Sequence, residues 1–303
     1  MSATYDVIVI GEGVAGLTAA GELAQQGLKV ATLEAQLFGG LIININELEP
    51  APEGSTGGGA EYASTIMGAN ADLGVESLSE SVTGIESSNG IHHVKTDSAT
   101  HTAKQVLIAS GAHLKRLGIP GEMDFEGRGV SQCADCDGPM YQKETVVVVG
   151  GGDSALQEAC VLAQYCDQVR LIHRNAHFTG QEHFIKAVEA QPKIVTTFNA
   201  EVTHIAGGQM VEKVTIQHQD GKSEEFKCAG FFAYIGLAPN AQFAPSQIPC
   251  DEKGFIKTNT ELETTISGIW AIGAVRSGCG GGLDDVIADA KKAASHIQSR
   301  LSQ

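Results

Sequence analysis

No stretch of the sequence approaches the roughly 20 consecutive apolar residues that a membrane-spanning helix needs. The apolar run near the start is only Val7 to Ile10, closed by glycines and preceded by no basic segment, so no secretory signal is expected. Basic residues are scarce: 20 Lys and Arg stand against 36 Asp and Glu, a formal charge of −16. A surface so poor in cations lacks the patch that neutralises phosphates, which argues against nucleic acid as a partner. The seven cysteines are an odd number for a disulfide framework. A soluble protein of a reducing compartment, the cytoplasm, is therefore expected. No Cys/His spacing resembles a zinc site. Cys160 and Cys166 lie six apart on an expected helix, and His177 and His183 read as surface residues, so no metal is expected.

What the chain does have is core-forming material and clustered glycine. Its 303 residues are 42 % hydrophobic and 18 % charged, enough for two domains with sizeable cores. Its 37 glycines sit largely in short groups, which points to tight turns and close backbone approach.

Tyr5–Ile10 reads as a buried strand, followed by Gly11-Glu12-Gly13-Val14-Ala15-Gly16, a helical pattern through Gln26, and a second strand from Lys29 to Leu33 that ends at Glu34. This is the dinucleotide fingerprint in its required context. Gly11 permits the tight turn, Gly13 lets the backbone approach a pyrophosphate, and Gly16 lets helix and sheet pack closely. Glu34 is placed to accept from ribose hydroxyls. The fingerprint alone does not separate FAD from NAD.

The pattern returns in mid-chain. Glu144–Val149 is a strand, Gly150-Gly151-Gly152-Asp153-Ser154-Ala155 the turn with Ala155 in the third glycine position, Leu156–Tyr165 a helix, and Gln168–His173 the next strand. Two such units imply two dinucleotides, or one and a vestigial site; a flavin with a nicotinamide nucleotide is the natural pairing. No acid ends the second strand. His173-Arg174 stands there instead, and Arg174 is either a partner for a 2′-phosphate or an exposed strand-end charge.

Just ahead of that second fold comes Cys133-Ala134-Asp135-Cys136, followed by Asp137-Gly138-Pro139. A Cys-x-x-Cys pair closes a disulfide across a short turn and often lowers one thiol pKa. In a reducing compartment such a pair is catalytic or metal-binding, and without a second ligand pair a redox role is favoured. Asp137 is either a proton donor to a leaving thiolate or a cap of the following turn.

Together these residues resemble the low-molecular-weight thioredoxin reductase family over nearly the whole chain. The most specific segment is Cys133 to Ala155, CADCDGPMYQKETVVVVGGGDSA. Gly39-Gly40, Val106–Glu122 (which includes Gly111), Gly236–Asn240 and Gly268–Gly273 also match. The resemblance implies an α/β fold of two Rossmann-like, three-layer ββα domains, the second inserted into the first. Residues 1–114 and 244–303 would bind FAD, with Gly11, Gly13, Gly16, Glu34, Gly40, Gly111, Gly273 and Ala274 at the cofactor. Residues 115–243 would carry the Cys pair and an NAD(P) site at Gly150, Gly152, Asp153, Ser154, Ala155, His173 and Arg174. It further implies a homodimer and a rotation between domains that alternately presents dithiol and nicotinamide to the flavin. Cys136 would exchange with the flavin, Cys133 would attack a partner disulfide on a thioredoxin-like protein or small molecule, and Asp137 would be the acid.

Three departures bear on this. The family's His-Arg-Arg-x-x-x-Arg is here His173-Arg174-Asn175, with Thr179 in the last position, so two guanidiniums are gone and NADPH is not preferred over NADH on sequence grounds. The family's Gly-Asp-Val is Gly273-Ala274-Val275, which removes an acceptor at the flavin. The Arg-Gln that opens the last helix is replaced by Ser277 to Asp285, with Cys279 as an extra redox thiol or a small residue in a glycine loop. The leading expectation is an FAD-dependent disulfide reductase fed by NADPH or NADH. Its competitors are an FAD/Cys-pair enzyme independent of nicotinamide, either ferredoxin-linked or a dithiol oxidase using O2, and a low-turnover flavin-bound sensor.

Overall fold

A computed structural model describes residues 4–45, 48, 52 and 57–302; Met1 to Ala3, within the start read above for a signal, lie outside them. The chain forms two compact units, one from Met1–His113 with Ala238–Gln303, the other from Leu114–Leu237.

The first unit runs β1 (Thr4–Ile10), α1 (Val14–Gln25), β2 (Val30–Leu33), α2 (Gly59–Asp72), β3 (Glu76–Leu78), β4 (Val82–Ser88), β5 (Ile91–Thr96), β6 (Thr100–Ile108) and β7 (Ala112–Leu114). The second contains β8 (Val130–Ser131), α3 (Ala134–Asp137), β9 (Thr145–Val149), α4 (Asp153–Tyr165), β10 (Gln168–His173), α5 (Glu182–Ala190), β11 (Ile194–Phe198), β12 (Ala200–Gly207), β13 (Val211–His218), β14 (Ser223–Lys227) and β15 (Gly230–Ala233), and β16 (Leu237–Pro239) leads out of it. The chain ends, again in the first unit, with β17 (Ile269–Ala271) and α6 (Leu283–Leu301).

Both units are three-layer ββα folds. In the first, β3, β2, β1, β6 and β17 run parallel, and β5 and β4 continue antiparallel from β6. Strands covered on both faces must be apolar on both, and Val7, Ile8, Val9 and Ile10 are all buried. One face packs against α1 and α6 through Ala19, Leu23, Ala290, Ala293 and Ile297. The other packs against Ile85 and Val94 of the β4–β5 hairpin. In the second unit the parallel order is β11-β10-β9-β15-β8. Val146 and Val148 of β9 face α4, while Val147 and Val149 face the β12-β13-β14 sheet.

The chain returns to the first unit between Leu237 and Ala238, earlier than the 243/244 position read from the sequence. Long-range contacts hold the chain there: the Ser110 hydroxyl donates to the Asn240 carbonyl at 2.6 Å, the Asn240 amide returns a bond to the Ser110 carbonyl at 2.9 Å, and Ala241, Phe243 and Ala244 pack on the first unit's core.

The two strand–turn–helix joints differ in one respect. A Cβ on Gly16 would sit 1.9 Å from the Gly11 carbonyl oxygen, so no side chain fits. In the second unit Ala155 takes the equivalent place because the glycine faces it: a Cβ on Gly150, whose φ is +148°, would fall 2.6 Å from the Ala155 methyl. The helix therefore starts at Asp153, ahead of the expected Leu156, with Asp-Ser-Ala as its first turn. Gly16→Ala should thus cost about 2 kcal/mol or more through forced backbone displacement, whereas Ala155→Gly should cost about 1 kcal/mol. Thermal melts of the two variants check this ranking; equal losses would contradict it.

Candidate active site

At the first unit's turn, the backbone gathers around Gly13. Gly13 bridges Gly39, and the Gly39 N–H donates to the Glu12 carbonyl at 2.6 Å. Gly39 and Gly40 both hold positive φ, which brings Gly40 against the Gly13 Cα. Gly13 caps α1 without any side-chain bond, and no acid sits in the first turn, so the first N–H groups of α1 face outward for an anion. Glu34 ends β2 half-buried, its carboxylate accepting from the Glu12 N–H and the Gln36 N–H, both at 3.0 Å. The turn itself thereby orients the acid expected at a ribose. A glycine cradle, a bare helix start and an oriented acid suit a dinucleotide such as FAD. Glu12, which the fingerprint leaves unspecified, is 3 % exposed and accepts from the Thr32 and Ser77 hydroxyls. Gly111 adopts φ +67° and its carbonyl accepts the Asn240 N–H.

The second unit's turn has the same bare start, with Gly152 as an N-cap that makes no side-chain bond. Ser154 is exposed. The Asp153 carboxylate is engaged sideways by the Gln181 N–H and amide, which hold its pKa below the usual carboxylate range. His173 is buried, and its ring lies where a Gly151 Cβ would stand and near Phe178 and Phe198. Its Nε2 donates to the His177 carbonyl, and burial lowers its pKa, so it packs as a neutral ring. Arg174 points to solvent, and His177 and His183 are exposed. Of the residues assigned to a 2′-phosphate, only Arg174 offers a guanidinium at the strand end.

Cys133 and Cys136 form a disulfide within the second unit. Cys133 is half-buried and Cys136 exposed. The pair is held by backbone: Cys133 N–H donates to the Ser131 hydroxyl at 3.2 Å, Cys136 N–H to the Cys133 Sγ at 3.2 Å, and Asp137 N–H to the Cys133 carbonyl at 3.1 Å. Fully buried Ala134 anchors the turn in the core beside α4. Gly138 lies so close to Tyr165 of α4 that a Cβ would come within 2.8 Å of its ring. Asp137 is half-buried beside the pair, and its side chain makes no capping bond. Cys160, Cys166, Cys228, Cys250 and Cys279 are free thiols. Burial raises the Cys279 thiol pKa, which suits a small residue in a glycine loop.

The segment after β17 contains a partnership that sequence reading missed. Where Ala274 leaves no acid, Asp289 of α6 reaches back. Its Oδ2 accepts the Gly273 N–H at 3.0 Å and the Arg276 Nε at 2.9 Å, and its Oδ1 accepts the Arg276 Nη2 at 2.9 Å. The remaining Arg276 Nη1 donates to the Ser277 carbonyl. Both side chains are largely buried, so this two-pronged pair ties the glycine-rich loop to α6. The only trace in the sequence is an acid among the small residues of an amphipathic helix.

The family model for pyridine nucleotide-disulphide oxidoreductases matches residues 5–296. The thioredoxin reductase of Treponema pallidum is 35 % identical over 279 residues, covering 91 % of each chain. The chain belongs to the thioredoxin reductase branch of the pyridine nucleotide-disulphide oxidoreductase family. This disulphide oxidoreductase also superimposes on the solved thioredoxin reductase of Lactococcus lactis, with a TM-score of 0.90, 33 % identity, and 98 % and 99 % of the two chains covered. For that of T. acidophilum the values are 0.87, 29 %, and 99 % of each chain. It is an FAD-dependent enzyme that works with a nicotinamide nucleotide and a disulfide substrate, and the relatives favour neither the nicotinamide-independent nor the sensor reading. Among the described residues, no helix is long and apolar enough to cross a membrane.

Asp289→Ala leaves the buried Arg276 guanidinium and the Gly273 N–H unpaired, a loss on the order of 3 kcal/mol. A lowered melting temperature and more free flavin after gel filtration are expected; an unchanged melt would show that the clamp contributes nothing.

Proposed function

We propose that the first unit binds FAD and the second binds NADPH or NADH, and that electrons pass to Cys133–Cys136 and then to a thioredoxin-like protein. The observation that carries this reading is the disulfide itself, set on a turn packed against the same helix whose N-terminus forms the second nucleotide turn. Bound FAD supplies the two-electron relay between a nicotinamide nucleotide and a thiol pair.

In the first unit Gly11, Gly13 and Gly16 form the phosphate turn, Glu34 accepts from a ribose, and Gly40, Gly111, Gly273 and Ala274 line the remainder. In the second, Gly150, Gly152, Ser154 and Ala155 form the phosphate turn. Asp153 fixes the loop at Gln181, His173 supports Gly151, and Arg174 meets the adenosine end. When an electron pair breaks the Cys133–Cys136 bond, two protons complete the two thiols, one of them delivered by the Asp137 carboxyl. The Cys133 thiol then returns its proton to the Asp137 carboxylate, and its sulfur attacks the partner's disulfide, forming a mixed disulfide and releasing one partner sulfur that takes up that proton. Cys136 resolves it, releasing the partner as a dithiol and restoring the Cys133–Cys136 bond. The curated relatives named thioredoxin reductases support a thioredoxin-like partner. A cytoplasmic homodimer fits the cysteine usage and the family resemblance.

Anaerobic protein mixed separately with NADPH and NADH should lose its flavin absorbance with at least one of them, and then reduce thioredoxin catalytically. A protein bleached by a dithiol but by neither nucleotide would overturn the reading. Because a single exposed guanidinium serves the 2′-phosphate, Arg174→Ala should lower kcat/KM for NADPH by about tenfold, one charge-assisted contact. NADH turnover should stay unchanged. Equal losses with both nucleotides would place Arg174 elsewhere in the reaction.

A further inference from the structure

The second nucleotide turn has an aromatic edge that the proposed function leaves unused. Parallel pairing sets Phe198, the last residue of β11, beside His173, the last residue of β10. The Phe198 and Phe178 rings lie 4.8 Å apart between centroids, tilted by 58°. His173 stands 5.8 Å from the Phe178 ring and 6.4 Å from that of Phe198. His173 is buried against Gly151, whereas Phe198 is 36 % exposed. The trio is thus fixed at its inner end and presents an apolar ring to solvent at its outer one.

Hydrogen bonds hold this edge in place. The Thr179 and Gly180 N–H groups donate to the Gly151 carbonyl at 2.8 and 3.1 Å, and the Thr179 hydroxyl adds a bond at 3.2 Å. The segment after β10 is thereby folded back on the phosphate turn. Asn199, in the left-handed region at φ +53°, donates from its N–H to the Asn175 carbonyl at 3.3 Å. The Gln219 amide donates to the Arg174 carbonyl at 2.9 Å, and the Gln219 N–H to the Asn199 carbonyl at 2.9 Å. The residues that follow β10 and those that follow β11 therefore form one tied rim, with Phe198 on it.

That rim lies where an adenosine would. In this fold the end of the second strand meets the adenosine ribose, and here that end is Arg174. Neighbouring strands stand about 4.8 Å apart, so the end of β11 is one strand further from the phosphate turn, within reach of a base carried by that ribose. Charge has little to offer there. Thr179 is engaged by Gly151 and Asp153 by Gln181, and Arg174 is the one Lys or Arg between His173 and Gln181.

We propose that Phe198 is the adenine-binding residue of the second nucleotide site, its exposed ring stacking on the base while Phe178 and His173 fix it from behind. This rests on the reading of the second unit as a nicotinamide-nucleotide site. A base offers the same π-face whatever its ribose carries. Phe198 therefore serves NADH and NADPH alike, and Arg174 alone tells them apart.

The test is calorimetric titration of the oxidised, flavin-loaded protein with ADP-ribose and with 2′-phospho-ADP-ribose, which carry the adenosine end without a nicotinamide. Bound flavin keeps the first unit's site filled, so binding reports the second. Phe198→Ala should raise Kd about tenfold for both ligands, the loss of one base–aromatic stack. Phe198→Leu, which keeps apolar bulk against Phe178 but offers no ring, should raise it as much. Phe198→Tyr, which keeps the ring, should hold the parental Kd. An unchanged Kd in Phe198→Ala would overturn the proposal. So would parental affinity in Phe198→Leu, which would assign the effect to packing, or a loss confined to the 2′-phosphorylated ligand. A parent that binds neither ligand would instead overturn the nucleotide reading of the second unit, and the proposal with it.

Discussion

The structure depends on how closely a helix can approach the strand that precedes it. In each unit one helix, α1 or α4, meets the strand before it through a turn with no room for a side chain at the point of contact: Gly16 against the Gly11 carbonyl in one, Gly150 against Ala155 in the other. This approach seats each helix on its sheet and turns its unbonded N–H groups outward at the carboxyl ends of the parallel strands, where nucleotide sites form. In the second unit α4 has a further task. Its start shapes the phosphate turn, its far end packs Tyr165 against Gly138, and its Ala155 and Ala159 share a core cluster with Ala134 of the redox turn. The nucleotide joint and the thiol chemistry therefore share one rigid support.

A chain this acidic must satisfy the carboxylates that it buries. Glu12 has the Thr32 and Ser77 hydroxyls, Glu122 the Leu117 and Gly118 N–H groups, Glu263 the Gly268 N–H and Arg300, and Asp289 the Arg276 guanidinium. Each receives charge-bearing or multiple donors.

Much of the fold and part of the site were legible in the sequence because they are written locally. The Gly11–Gly16 and Gly150–Ala155 turns, the strands on either side and the Cys133–Cys136 pair each lie within a few residues, where spacing alone carries the chemistry. The rest was not legible because it joins distant segments. Glu12 finds Ser77, and Asp289 finds Gly273 and Arg276, only once sheet order and helix packing bring them together. The pairing of Asn240 with Ser110 is of the same kind, since it joins residues far apart in the chain. Ala274 read as a lost acid, and no local rule said that a carboxylate from the next helix would take up the adjacent N–H.

The central claim is that reducing equivalents leave the flavin through Cys133 and Cys136. Anaerobic titration of the flavin-loaded protein with dithionite tests it most directly. The account predicts two electron pairs taken up per flavin in the parent chain and one in Cys136→Ser, with the flavin still bound in both. Uptake of a single pair by the parent, or of two by Cys136→Ser, would contradict it.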